Sequence, residues 1–177
     1  MFLFDRLFGK REAAPATAAG PPAPAAPPRQ ATAAPGTSIH YHAGLIDKLT
    51  GDHRTLLRLF GDTQAAALAG DVALAAARLE EFRAALQDHL LTENIRLYVY
   101  LEHTLAADAQ SHALIHGFRH EMDGIGRAVV GFLDKYRDLA AHPERAAEFA
   151  EDLAGIGKVL VERIRREEET LYPLYAG

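Results

Sequence analysis

The stretch Gln87-Asp88-His89-Leu90-Leu91-Thr92-Glu93-Asn94-Ile95-Arg96-Leu97-Tyr98 sets a histidine and a glutamate four residues apart in a strongly helical run. Four residues is about one helical turn, so both side chains fall on one face. The rest of that face is apolar. Phe82, Leu86, Leu97 and Tyr100 recur around the pair at helical spacing. An imidazole and a carboxylate on a buried face are costly unless each has a partner. A metal ion shared with other helices serves both groups at once.

Working outward, the pattern stays helical from Leu45 onward, with no period-two alternation over a strand's length. The first helix is expected over about 45–69, stopped by Gly70. Asp71 is a good N-cap for a second helix reaching about 105. A third is expected over about 111–141. A fourth opens near Pro143 and ends at 171–172, ahead of Pro173. The connections are short, so consecutive helices should be antiparallel neighbours. The expected fold is all-α: an up-down-up-down antiparallel four-helix bundle.

Before the bundle, residues 1–12 (MFLFDRLFGKRE) form a short aromatic-rich segment, amphipathic if helical. Residues 13–38 are rich in Ala and Pro and read as a flexible linker, so the bundle is expected over 39–177. Segment 1–12 is expected to dock weakly on a membrane or a partner protein.

Composition bounds the function. The chain has 177 residues and a formal charge of −5, which argues against nucleic-acid binding through phosphate contacts. With no cysteine, thiolate catalysis, disulfides and Cys-ligated centres are excluded. No apolar run approaches the roughly 18 residues of a membrane span. No apolar leader core is present either, so a cytoplasmic protein is the default expectation.

Each helix interrupts its apolar stripe with polar residues. The first reads Leu45, Leu49, His53, Leu56, Phe60. The third reads Leu114, Phe118, Glu121 or Met122, Ile125, Val129, Phe132. The fourth reads Leu153, Ile156, Leu160, Arg163 or Ile164, Glu167, Leu171. Convergent histidines and carboxylates are how such bundles hold metals. Plainer readings stand beside this one. Arg163 can pair with Glu167 one turn on, and the run Glu167-Glu168-Glu169 beside two arginines reads as a solvated face. His40, His42, His103, His112, His116 and His120 read as surface residues. Tyr98, Tyr100, Tyr172 and Tyr175 read as packing around the polar turns. A weak internal repeat aligns His89–Tyr98 with Arg163–Tyr172.

The motifs Leu49-Thr50-Gly51-Asp52-His53, His89 with Glu93 and Leu97-Tyr98, and Glu167-Glu168 with Leu171-Tyr172-Pro173 together resemble the hemerythrin-like, or HHE cation-binding, family. The resemblance covers about residues 41–175. It implies a bundle holding non-haem iron, with His53, His89, Glu93 and Glu167 as ligands and the two glutamates bridging. It also implies oxygen, nitric oxide or peroxide as partners, in sensing, redox or iron handling. Two positions depart from the family pattern. Arg163 stands where a histidine is usual, and Met122 stands where the third helix usually supplies one, with Glu121 beside it. Three outcomes follow: a mononuclear site, a di-iron site completed by Glu121, or a metal-depleted bundle acting as a regulatory interaction module. No nucleophile–base arrangement points to an enzyme.

Overall fold

The computed structural model describes residues 33–176. Segment 1–12 and the Ala/Pro stretch to residue 32 lie outside the described residues. The elements are α1 (Leu45–Leu68), α2 (Val72–Thr92), a π-turn (Glu93–Tyr98), α3 (Val99–Thr104), α4 (Ala109–Lys135), two short 3-10 turns, α5 (Ala146–Arg166), a second π-turn (Glu167–Leu171) and α6 (Tyr172–Ala176). The π-turns do not break their helices, so α2–α3 and α5–α6 are each one continuous rod. No strand forms among the described residues. One isolated antiparallel bridge joins Ala33 to His40.

α1 packs on α2 and α5, and α4 packs on α5 and α3, which closes a four-helix ring. The interior holds two apolar clusters, and the direction of each helix follows from the order in which it visits them. α1 runs from the cluster containing Leu45 and Leu49 to the one containing Leu56 and Phe60. α2–α3 returns, from Leu79 and Phe82 to Leu97 and Leu101. α4 descends from Ile115 and Phe118 to Val129 and Phe132. α5–α6 returns from Phe149 and Leu153 to Leu171 and Tyr172. The fold is therefore the expected up-down-up-down bundle. Each fully buried Leu or Phe contributes about 1.5–3 kcal/mol, so the two clusters supply most of the driving force.

Local chemistry sets the ends. Gly70 takes φ +75°, and the chain closes a Schellman motif there. Its N–H reaches Ala67 O at 3.1 Å, and the Asp71 N–H reaches Ala66 O at 3.0 Å. Asp71 then caps α2 by accepting from the Leu74 N–H at 3.0 Å. The third helix differs from expectation at both ends. It opens at Ala109, capped by Asp108, which accepts from the Gln110 N–H. The helix stops at Lys135, where the chain turns to bury Tyr136 and Leu139 against the lower cluster.

Three further expectations change. Leu114 is exposed, and the buried stripe of α4 runs through Ile115, Phe118, Met122, Val129 and Phe132. This phase turns Met122 inward and Glu121 outward. The fourth rod passes through Pro173 to Ala176. The Tyr172 N–H already bonds to Glu167 O, five residues back, so the ladder has shifted register where Pro173 withholds a donor, and the proline is tolerated. Finally, packing begins ahead of Ile39. Ala34 is buried, the Pro35 carbonyl lies 2.9 Å from His103 Nδ1, and the His42 N–H donates to the Tyr175 hydroxyl at 2.8 Å.

The α1–α5 contact is tight at one point. A Cβ built on Gly157 would lie 2.8 Å from the buried Phe60 ring, while one on Gly155 would meet nothing within 4 Å. Gly155→Ala should raise stability by about 0.5–1 kcal/mol through helix propensity. Gly157→Ala should lower it by about 1–3 kcal/mol through overpacking. Paired urea titrations check both, and a stabilised Gly157→Ala would contradict the close approach.

Candidate metal centre

Between the two apolar clusters lies one polar layer. α1 contributes His53, α2 contributes His89, the first π-turn opens with Glu93, α5 contributes Arg163, and the second π-turn opens with Glu167. All five are buried, and both glutamates have no accessible surface. Each side chain interrupts a stripe that is apolar above and below it, which is why the fold carries it inward. Wide turns of this kind recur at functional sites. Here they carry Leu97-Tyr98 and Leu171-Tyr172 from the two glutamates into the upper cluster.

Arg163 organises the carboxylates. Its Nη2 lies 2.8 Å from Glu93 Oε2, and its Nε lies 2.6 Å from Glu167 Oε1. His53 Nε2 lies 3.1 Å from Glu167 Oε2 and 3.1 Å from the Tyr172 hydroxyl. On the other side of the ring, His53 Nδ1 lies 2.8 Å from Glu168 Oε1. That contact favours the tautomer with the proton on Nδ1 and leaves Nε2 as a ligand facing the interior, as in carboxylate–histidine–metal arrangements. His89 lies beside His53, ring centroids 4.8 Å apart, with its Nδ1 at 3.7 Å from Asp52 Oδ2.

The charges balance from protein alone only when one carboxyl is protonated or one imidazole is charged. Two carboxylates face one guanidinium, so with neutral histidines the layer carries a net −1 when both glutamates are ionised. Burial pushes the Glu93 carboxyl well up, Glu167 adds to the shift, and Arg163 offsets it only in part. Burial, reinforced by the His53 charge, drives the His89 imidazole down to about 3. Burial opposes the His53 imidazolium too, but the bonds to Glu167 and Glu168 outweigh it and hold its pKa above the ordinary value. His89 Nδ1, Glu93 Oε1, both Glu167 oxygens and the Tyr98 hydroxyl are buried with no hydrogen bond of proper geometry. The Glu167 oxygens do lie at ion-pair distance from Arg163 and His53, and such contacts still leave lone pairs open to a cation.

One ligand atom from each of His53, His89 and Glu167 fits within 4.8 Å of the others. Imidazole and carboxylate donors around one point suit iron, and zinc as well. Of the sequence candidates, the structure brings together ligand atoms of His53, His89 and Glu167, and Glu93 joins the same layer through Arg163. It does not bring Glu121 to them. Glu121 is half exposed and pairs with Arg166, because the α4 stripe is phased on Ile115. Arg163 faces Glu167, as the i,i+4 spacing suggests, and also Glu93. Two residues beside the site were not singled out as candidates: Asp52 and Glu168. Their signal was adjacency, since Asp52 precedes His53 and Glu168 follows Glu167.

A helical bundle with a buried layer of histidine and carboxylate on three of its four rods defines a cation-binding bundle. Residues 44–175 match the hemerythrin HHE cation-binding domain, and the chain belongs to that family. No curated protein and no solved structure matches the chain.

Arg163→Met would strand two buried carboxylates. The metal-free protein should lose about 3–5 kcal/mol, the usual cost of removing one partner of a buried pair. The deficit should widen as pH rises. A carboxyl whose folded pKa is raised contributes fully below its unfolded value, and that contribution fades as pH climbs through the folded one. Removing the guanidinium takes away the charge that offsets this rise at Glu93, so its carboxyl moves up further. Denaturant melts of both proteins between pH 5 and 8 measure this, and a pH-independent deficit would contradict it.

Proposed function

We propose that the chain binds one non-haem iron ion through His53, His89 and Glu167, with Glu93 as the further carboxylate, and that the centre serves oxygen, nitric oxide or peroxide sensing, or iron handling. The observation that carries this is the convergence of three buried ligand atoms next to buried carboxylate oxygens without hydrogen bonds. A bound iron supplies one-electron redox chemistry and affinity for such small molecules. The protein's part is to hold the donors around one point, to keep His89 neutral by burial and to exclude bulk water. Glu168 orients the His53 imidazole, and Tyr172 faces His53 Nε2 across the layer.

One ion per chain follows from Arg163. Its guanidinium occupies the space between the two glutamates and opposes a second cation there. With Glu121 outside the layer, α4 offers no replacement ligand. The reading places the protein in the cytoplasm, free of nucleic acid and acting as a binding protein rather than an enzyme. Among the described residues no helix is long and apolar enough to cross a membrane. The proposed docking role of segment 1–12 rests on its sequence alone. A second reading, a regulatory bundle that has lost its metal, draws on the Arg163–Glu93 and Arg163–Glu167 pairs, which already stabilise the layer in part.

Elemental analysis with an absorption spectrum, on protein purified without chelator, tests the first reading. The expected result is about one iron per chain, with binding lost in His89→Ala and weakened about 10–100-fold in Glu168→Ala, where only the imidazole's orienting partner is gone. A chain that takes up no iron when ferrous ion is added anaerobically would favour the second reading. Arg163→His combined with Met122→His should raise the stoichiometry toward two. Unchanged iron content in that variant would contradict the role given to Arg163.

A further inference from the structure

A groove runs along one side of the polar layer. α2 and α4 leave a groove of about 480 Å³ between them, floored by Arg163 of α5. Its walls are mainly apolar, with Leu90 on α2 and Met122 and Val130 on α4. Gly126 faces the floor. A Cβ there would stand 4.0 Å from Arg163 Nη1, the guanidinium nitrogen not aimed at Glu93 or Glu167. Tyr98 lines the same groove, 2% exposed, and its hydroxyl has no hydrogen-bond partner. A buried hydroxyl left unmatched is costly, and the residue that carries it lines a space large enough for a small molecule.

The donors define the occupant. Arg163 Nη1 and the Tyr98 hydroxyl both donate, so the ligand must present acceptor oxygens. A carboxylate meets a guanidinium and a hydroxyl together. The apolar walls call for a carbon body behind it. Charge on the rim does not oppose this. Arg127 has no ion-pair partner among the described residues, Arg119 is held by Glu102, and Asp134 is taken up by Arg83 and Arg137. Asp123 is the remaining acid on the rim.

We propose that the α2–α4 groove is a binding site for a small organic carboxylate, received by Arg163 Nη1 and the Tyr98 hydroxyl. The site communicates with the polar layer through one side chain. A carboxylate on Nη1 draws the guanidinium away from Glu93 and Glu167 and leaves them a greater need for a cation. The bound anion therefore strengthens cation binding, and by linkage the cation strengthens anion binding by the same factor. This coupling rests on the metal reading above. The groove itself does not.

Hexanoate is the probe, titrated into the metal-free full-length chain and followed by backbone amide NMR shifts. Saturable shifts confined to residues lining the groove are expected. Tyr98→Phe keeps the ring and should weaken binding about tenfold, as for one lost charge-assisted hydrogen bond. Hexanol and inorganic phosphate, the tail and the anion taken separately, should each bind much more weakly. No saturation by hexanoate, equal binding by Tyr98→Phe, or tighter binding of phosphate than of hexanoate would each overturn the carboxylate site. Cobalt(II) titrations with and without saturating hexanoate test the coupling, with an expected gain in cobalt affinity of about fivefold or more. If both ligands bind and neither alters the other, the coupling is wrong. If cobalt does not bind at all, the metal reading fails while the hexanoate result still decides the groove.

Discussion

One guanidinium between two buried glutamates is the constraint on which the interior rests. Arg163 touches Glu93 at 2.8 Å and Glu167 at 2.6 Å, in a layer shut off above and below by apolar side chains. Desolvating three charges costs several kcal/mol per ion, and their mutual attraction recovers this only when the geometry is good and the remaining lone pairs are used. Here they are not all used. One Glu93 oxygen and both Glu167 oxygens lack proper hydrogen bonds, and His89 Nδ1 lacks one beside them. The bundle thus tolerates a polar interior whose unmet valence is that of a cation.

The layer is lopsided, and the lopsidedness has chemical content. Three rods contribute ionisable groups. The fourth contributes Met122 and Gly126, one apolar and one without a side chain. A bundle with ligands on all four rods can hold its cations symmetrically. In this chain the α1, α2–α3 and α5–α6 rods carry the histidines and carboxylates, while the side toward α4 is left to Arg163 and the groove it floors. Positive charge supplied covalently by the arginine thus sits where the family pattern leads one to expect another imidazole.

Much of this was legible in the residues. The stripes of the first, second and fourth helices could be counted because large apolar side chains recur every three or four positions, and His53, His89, Glu93 and Glu167 stood out as interruptions. The third helix could not be phased as well. Leu114 and Ile115 are adjacent and equally apolar, and choosing Leu114 tilts the face toward Glu121. Only packing into the cluster with Leu97, Leu101 and Leu171 decides for Ile115 and Met122. Glu168 was hidden for a different reason. A run of three glutamates beside two arginines looks solvated, and two of the three do lie at the surface, yet Glu168 reaches back from there to His53. Pro173 misled because a proline ordinarily ends a helix. The register shift just before it leaves no mark in composition.

That shift recurs at Glu93 and at Glu167, and it reaches beyond the site. Each wide turn works as a one-residue insertion in an otherwise regular rod, setting everything downstream back by about 100°. The segment from Glu93 to Leu97-Tyr98 therefore cannot be superposed on an uninterrupted helix without a gap, and neither can the one from Glu167 to Leu171-Tyr172. In aligning this chain with bundles of plain helical geometry, a single-residue gap belongs just after each glutamate. Methods that score ungapped helical periodicity will misplace the two tyrosines by one position, and with them the side chains that close over the layer.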